Sequence, residues 1–329
     1  MVGRKNKSFL FIFTASVLSL FLYVSDFFHF RATREYTFYV KNGYNLSSTA
    51  HLLHSNSIIT ANITAMKTYY TMWKILHGCE KIYTGEYHIS DNEGYGNIVN
   101  KLCNGLSVLK TITIPEGFET REVMDVINSS TDLIGNKVVA FEEGVFLPET
   151  YSFNSGTERS AVFAKMKKDM QTFLNTEWKK RDTSIDNYIK NEHEALILAS
   201  IVEKEAKIDE ERTTIASVYL NRLQKKMRLE ACPTAIYEIT KGKYKLHRPL
   251  NRKDTDIKGD YNTYRKSGLP VAPICNPGKK SILAVLHPEN TEYLYFVAKP
   301  DLQGHLFAKT YNEHLKNIKH IKSQMAKSK

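Results

Sequence analysis

Residues Ser8 to Ser25 read SFLFIFTASVLSLFLYVS without a single charge, and Arg4, Lys5 and Lys7 stand directly before them. An apolar run of this length is too long for an ordinary core helix and long enough to cross most of a hydrocarbon layer. Phe27, Phe28 and Phe30 extend it toward the far interface, with Asp26 as the interruption. The small-residue pattern of a cleaved leader is missing after the run, where bulky Tyr23, Phe27 and Phe28 stand instead. We therefore expect an uncleaved anchor, with a cytoplasmic tail over 1–7 and a transmembrane helix over 8–28. By the positive-inside rule everything after about Arg31 then lies outside the cytoplasm.

The remainder of the 329 residues has an ordinary share of charged and apolar residues, enough for one sizeable core or two smaller ones. The net charge of +11 is spread along the chain. Its densest cluster, KNIKHIKSQMAKSK at Lys316 to Lys329, reads as a terminal helix with a wet face, so nucleic acid is not an expected partner. Attraction to an anionic envelope or lipid surface suits the charge better. Cys79, Cys103, Cys232 and Cys275 allow three disulfide pairings, and spacing does not choose among them.

Two segments of different character follow the anchor. From Glu35 to about Gly105, strand-like YTFYV and GEYHIS alternate with helical LSSTAHLLHSNS, ITAMKTYYTMWKIL and YGNIVNKLCNG. Ser47 or Ser48 is placed to cap the first of these helices. LKTITIPEG, Leu109 to Gly117, opens a further strand–helix unit, and from about Ala161 the chain is helix-rich. The expected fold class is α+β: a small mixed module, then a helix-rich domain.

The stretch ASIVEKEAKIDEER, Ala199 to Arg212, carries five acidic side chains directly after an apolar run. On a helix turning about 100° per residue, Leu198, Ile201, Val202 and Ile208 share one arc, and Glu205 projects into its middle. Glu203 and Glu210 point away and suit a solvated face. A carboxyl on an apolar stripe either keeps its proton near neutral pH, as a general acid must, or is tied to an arginine such as Arg212 or Arg222. Asp209 is placed to cap a second helix, ERTTIASVYLNRLQKKM, with Ile215, Val218, Tyr219 and Leu223 as its buried stripe. YNTYRKSGLPVAPICNPG, Tyr261 to Gly278, is an irregular loop offering aromatic faces and amides, groups suited to sugar rings, or else a structural Pro/Gly crossing. No metal-ligand cluster or nucleotide fingerprint is present, so no cofactor is expected.

In this order and spacing, ASIVEKEA, ERTTIASVYLNRL, PTAIY, YNTYRKSGLP, PICNPG, SILAVLHP, EYLYFVA and GHLFAKTYNEH resemble the MltG (YceG-like) family of endolytic murein transglycosylases. More weakly, EGVFLPETYSF is similar to the segment upstream of the family's catalytic core, and Glu35 to Gly105 to its LysM-like module. The resemblance implies a LysM-like module over 35–106 and a YceG-like region over 107–329, with its catalytic core at about 161–329. It implies a single-pass protein of the bacterial inner (cytoplasmic) membrane with the catalytic domain outside the cytoplasm. The activity implied is non-hydrolytic cleavage of peptidoglycan strands between MurNAc and GlcNAc, leaving 1,6-anhydroMurNAc ends and terminating nascent glycan elongation, with cell-wall synthases as partners. The catalytic acid implied is Glu205, with Tyr261, Asn262, Thr263 and Tyr264 lining the glycan groove and Asn276 and Glu149 orienting. His305 matches a family position, or is a structural strand-end residue.

The chain departs from the family where Glu230-Ala231-Cys232-Pro233-Thr234 replaces a Gln-x-Asp-Pro-Thr pattern. Glu230 thereby becomes a second candidate carboxylate and keeps hydrolysis open. A Cys232–Cys275 disulfide is one expectation for the substituted cysteine, and two small unpaired residues are the other. A wall-binding or scaffold protein with an inactive fold is the remaining alternative.

Overall fold

The computed structural model describes residues 31–41, 43–139, 142–301 and 303–327. The anchor expected over 8–28 lies outside them. Among the described residues no helix is long and apolar enough to cross a membrane. The fold is α+β and divides into two compact units, the first running to Thr111 and taking in 132–134 and 152–157, the second holding the rest.

In the first unit β1 (Tyr36–Val40) pairs antiparallel with β2 (Gly85–Ile89), Tyr36 opposite Ile89 and Val40 opposite Gly85. Alternation buries Phe38 and Val40 on one strand and Tyr87 and Ile89 on the other. Between the strands lie α1 (Leu46–Ser55) and α2 (Ile63–His77). Each starts at an asparagine whose side chain accepts a backbone N–H: Asn45 from Ser48 at 3.0 Å, Asn62 from Thr64 at 2.8 Å. The cap of α1 is thus Asn45, not Ser47 or Ser48, because the asparagine carbonyl already meets the free donor. A third helix, α3 (Tyr95–Asn104), closes the core with Ile98, Val99 and Leu102. A disulfide joins Cys79, just past α2, to Cys103 near the end of α3.

β3 (Leu109–Thr113) leads to α4 (Thr120–Ser129), which opens on a reciprocal capping box between Glu119 and Glu122. β4 (Leu133–Ile134), β5 (Thr150–Asn154) and β6 (Thr157–Glu158) follow, β3 pairing with β5 and β4 with β6. The second unit is then built around α6 (Glu192–Glu205), in which every residue from Ala195 to Val202 is buried. A helix apolar all round must be enclosed. Here α5 (Arg159–Trp178), α7 (Arg212–Gln224), α8 (Cys232–Thr240) and α10 (Lys279–Leu286) all pack against it. The short α9 (Arg252–Thr255) precedes the loop that begins at Tyr261. An antiparallel pair, β7 (Tyr295–Ala298) and β8 (His305–Ala308), is covered by the basic C-terminal α11 (Tyr311–Lys327).

The α6–α7 connection differs from the expected cap. A 3-10 turn spans Asp209–Glu211, and the Asp209 carboxylate accepts from the Arg212 Nε at 3.0 Å and from Lys280 instead of a helix-end N–H. Arg212, one turn-residue away and itself buried, outcompetes the backbone for that charge.

Candidate active site

Glu205 is the last residue of α6, and the chain turns extended at Ala206. Its side chain is partly buried at the point where three elements meet. The Tyr219 hydroxyl, from the buried face of α7, donates to Glu205 Oε1 at 3.3 Å. The backbone N–H of Cys232, the first residue of α8, also donates to it. Among the described residues no arginine or lysine forms an ion pair with Glu205. Burial accordingly pushes its carboxyl up to about 7, against the lowering influence of Tyr219, Lys207 and the Cys232 N–H. Such a group is divided between its acid and carboxylate forms near neutral pH, so it can both give up a proton and take one back there.

The arginine-tied glutamate is Glu203. Only 6% of its side chain is exposed; Oε1 pairs with Arg212 at 3.2 Å, and Oε2 accepts the Gly278 N–H at 3.0 Å. The expectation of a solvated Glu203 fails because α6 is enclosed on all sides, so a residue off the main apolar arc is still inside. Arg212 also donates to Ser281 and Asp209, which satisfies a guanidinium that is itself nearly buried.

The loop after α9 divides its expected sugar ligands into two kinds. Tyr264 is partly exposed, and its hydroxyl lies 3.1 Å from the Cys232 sulfur, beside the acid. Asn262 and Thr263 have no exposed surface, so the expectation that they touch the glycan is corrected. Asn262 Nδ2 donates to the carbonyls of Thr255 and Ile257, and its Oδ1 accepts the Tyr264 N–H. Thr263 Oγ1 accepts the Ala231 N–H at 3.0 Å and meets Thr234 Oγ1 at 2.8 Å, fastening the loop to the start of α8. Tyr261 leans on Tyr237, ring centroids 4.7 Å apart, with the Lys241 ammonium 4.6 Å above its ring.

Asn276 is likewise fully buried. Its Oδ1 accepts the Phe146 N–H at 2.8 Å, and its Nδ2 donates to the Phe118 carbonyl at 2.9 Å. It joins three chain segments inside the second unit and has no surface to offer a ligand. Glu149 is ion-paired with Lys279. Glu230 is half exposed, pairs with Arg222 at 3.4 Å, and has a left-handed backbone at φ 50°. His305 is buried, its Nδ1 2.6 Å from Glu211 Oε2, and the same carboxylate accepts the His305 N–H at 2.8 Å. It is the structural strand-end residue.

The expected Cys232–Cys275 bond does not form: both are free thiols, and the disulfide is Cys79–Cys103. Cys275 is buried with its sulfur 3.4 Å from the Ser200 carbonyl, on the body of α6, while Cys232 faces Tyr264. Sequence reasoning named Tyr219 only as a core residue. The available signal was its hydroxyl, since a buried tyrosine O–H must find an acceptor, and the unpaired carboxyl one helix away supplies it.

A carboxyl raised to about 7 and touched by the Tyr219 hydroxyl thus stands where α6, α7 and α8 meet on a helical α+β scaffold. The profile of the YceG-like family matches residues 38–320, and the chain belongs to that family. An endolytic murein transglycosylase of Bacillus subtilis (strain 168) is 31% identical over 324 residues, spanning 88% of this chain and 85% of the relative. Another, from Streptococcus pneumoniae, is 29% identical over 187 residues, spanning 56% of this chain and a third (33%) of its own length. Among solved structures, a YceG-like protein from Listeria monocytogenes superposes with a TM-score of 0.52 at 26% identity, covering 87% of this chain and 99% of that one.

Proposed function

We propose that the protein is an endolytic murein transglycosylase in which Glu205 serves first as acid and then as base. The observation that carries this reading is the Glu205 carboxyl itself, lifted to about 7 by burial and hydrogen-bonded by Tyr219, with no ion pair to it among the described residues. The acid protonates the glycosidic oxygen leaving from C1 of a muramyl residue, and the carboxylate then accepts the proton of that residue's C6 hydroxyl as it closes on C1. The nucleophile belongs to the same sugar, so its effective concentration is high and neither water nor a second carboxylate is needed. A hydrolase would need a base or nucleophile across the ring, and the second candidate, Glu230, is engaged by Arg222. The exposed part of Tyr264 borders the groove for the glycan, while Asn262, Thr263 and Asn276 hold its walls.

The rest of the reading follows the chain order. The apolar run over 8–28 anchors the protein in the cytoplasmic membrane, and the two capped helices between paired strands support a LysM-like module over 35–106. Anchored there, the enzyme cuts strands close to their site of synthesis and so ends their growth, alongside the synthases that make them.

The test is digestion of purified peptidoglycan by the detergent-solubilised chain, with mass spectrometry of the products beside a Glu205→Gln control. Anhydromuramyl ends that vanish in the control support the reading. Products that have gained water would replace it with hydrolysis, and a folded sample that releases nothing would reduce the site to a binding role.

A further inference from the structure

Helix α2 carries one apolar stripe, and among the described residues the first unit covers only half of it. Ala65, Tyr69, Met72 and Leu76 recur at steps of four, three and four, which sets them along a single face. Ala65, Met66 and Tyr69 are buried in the core of the unit. Beyond Tyr70 the helix runs past that core: Met72 is 47% exposed, Leu76 72%, and Ile75 beside them 77%. Large apolar side chains exposed singly need no explanation, but three within five residues form a patch that calls for a cover.

The patch lies close to where the chain comes in from its apolar run. Arg31 bridges Gly94, the N-cap of α3, and its guanidinium donates to the Asn92 carbonyl at 3.0 Å. The Ala32 N–H donates to the Glu93 carbonyl at 2.8 Å. Less than one turn further along α3, a methyl added at Gly96 would collide with the Tyr69 hydroxyl and stand 3.6 Å from the Trp73 ring. The exposed half of α2 therefore begins beside the entry point of the chain. Only three chain steps, at most about 11 Å, join Phe28 to Arg31.

We propose that the exposed end of α2 rests in the headgroup layer of the bilayer that holds the chain, with Met72, Ile75 and Leu76 against the acyl chains. The inference rests on the anchor proposed above for residues 8–28. So short a tether keeps the entry side of the first unit against lipid, and an apolar patch on that side is covered without any partner protein. The residues around it are of kinds that settle at this depth. Trp73 and His77 stack with ring centroids 3.9 Å apart, and Lys67, Lys74 and Lys81 stand against the lone acid Glu80 between Ile63 and Lys81. Lys67 and Lys74 share the face of α2 turned away from the apolar patch, which keeps their ammonium groups in water. The first unit then lies on the bilayer in one attitude instead of swinging from its tether.

The two tryptophans make the contact measurable, since Trp178→Phe leaves Trp73 as the sole indole emitter. The full chain with that change is reconstituted into vesicles of phosphatidylglycerol and phosphatidylethanolamine whose acyl chains bear bromine either just below the headgroups or near their methyl ends. Shallow bromine should quench Trp73 about twofold and deep bromine little, as for a helix face buried about 5–10 Å. Adding Met72→Ser, Ile75→Ser and Leu76→Ser, all at exposed positions outside the core, should abolish the quenching while circular dichroism stays unchanged. Emission indifferent to shallow bromine, or quenching that survives the serine changes, overturns the inference. Emission that follows protein density in the vesicle instead would give the patch to a second copy and overturn it too. Alkaline washing separates the two readings: a chain stripped from the vesicles brings down the anchor and this contact together, whereas a chain that stays with Trp73 unquenched overturns the contact alone.

Discussion

The Tyr219 hydroxyl, on α7, donates to Oε1 of Glu205, on α6, at 3.3 Å, and the tyrosine is 2% exposed. A donor in this position favours the charged carboxylate, the form the acid takes once its proton has gone to the leaving oxygen. Burial favours the protonated form, the one that must be loaded beforehand. The two influences oppose each other, and the carboxyl settles at about 7.

Tyr219→Phe removes the donor while keeping the ring and its edge contact with Phe296. The Glu205 carboxyl should then rise further, and the alkaline limb of the pH–rate profile should move up by about one pH unit. Turnover at its optimum should fall, because the carboxylate product of proton transfer loses its stabilisation. A limb that stays in place in the variant would remove Tyr219 from the tuning of the acid.

Glu205→Gln should stabilise the fold at neutral and alkaline pH even as it abolishes turnover. Because the folded carboxyl binds its proton more tightly than the unfolded chain does, the wild type loses stability as pH rises from the ordinary glutamate range to about 7. The glutamine has no such loss. Denaturant melts should agree near pH 4 and separate by about 3 kcal/mol above pH 7; curves that run parallel across this range would mean the carboxyl is not held up by burial.

Glu203→Ala leaves Arg212 in an almost closed site with part of its charge unanswered and the Gly278 N–H without its acceptor. Loss of one member of a buried pair costs about 3–5 kcal/mol, and the remaining Asp209 contact brings the expected loss toward the lower figure. Urea unfolding of the variant measures it, and a loss below about 1 kcal/mol would show the pair to be solvated.

Thiol titration of the denatured chain should find two reactive groups without reductant and four with it, since Cys79 and Cys103 are joined and Cys232 and Cys275 are not. Replacing both joined cysteines by serine should destabilise the first unit by about 3 kcal/mol, the loop-closure effect of a ring whose ends lie 24 residues apart. Four thiols without reductant would refute the bond.

The Glu205 position was legible in the sequence because its place among Leu198, Ile201 and Val202 depends only on helical spacing, which α6 obeys. Glu203 was not, for the same rule assumes one wet face, and α6 has none between Ala195 and Val202. The polar loop shows the same limit. Asn262, Thr263 and Asn276 are sugar-binding residue types, yet their amides and hydroxyl are consumed by backbone groups contributed from Phe118, Phe146, Ala231 and Thr255, contacts that pairing of distant segments creates and no local pattern carries. The cysteines follow suit: proximity to a loop motif suggested Cys232 and Cys275, while the fold sets Cys79 and Cys103 with Cα atoms 5.4 Å apart.

Glu205 closes α6 and accepts an N–H from the opening residue of α8, so its carboxyl sits between the negative end of one helix dipole and the positive end of another. Two helix ends and one tyrosine hydroxyl thus act on a single carboxyl, the hydroxyl and the α8 N–H against the burial that lifts it.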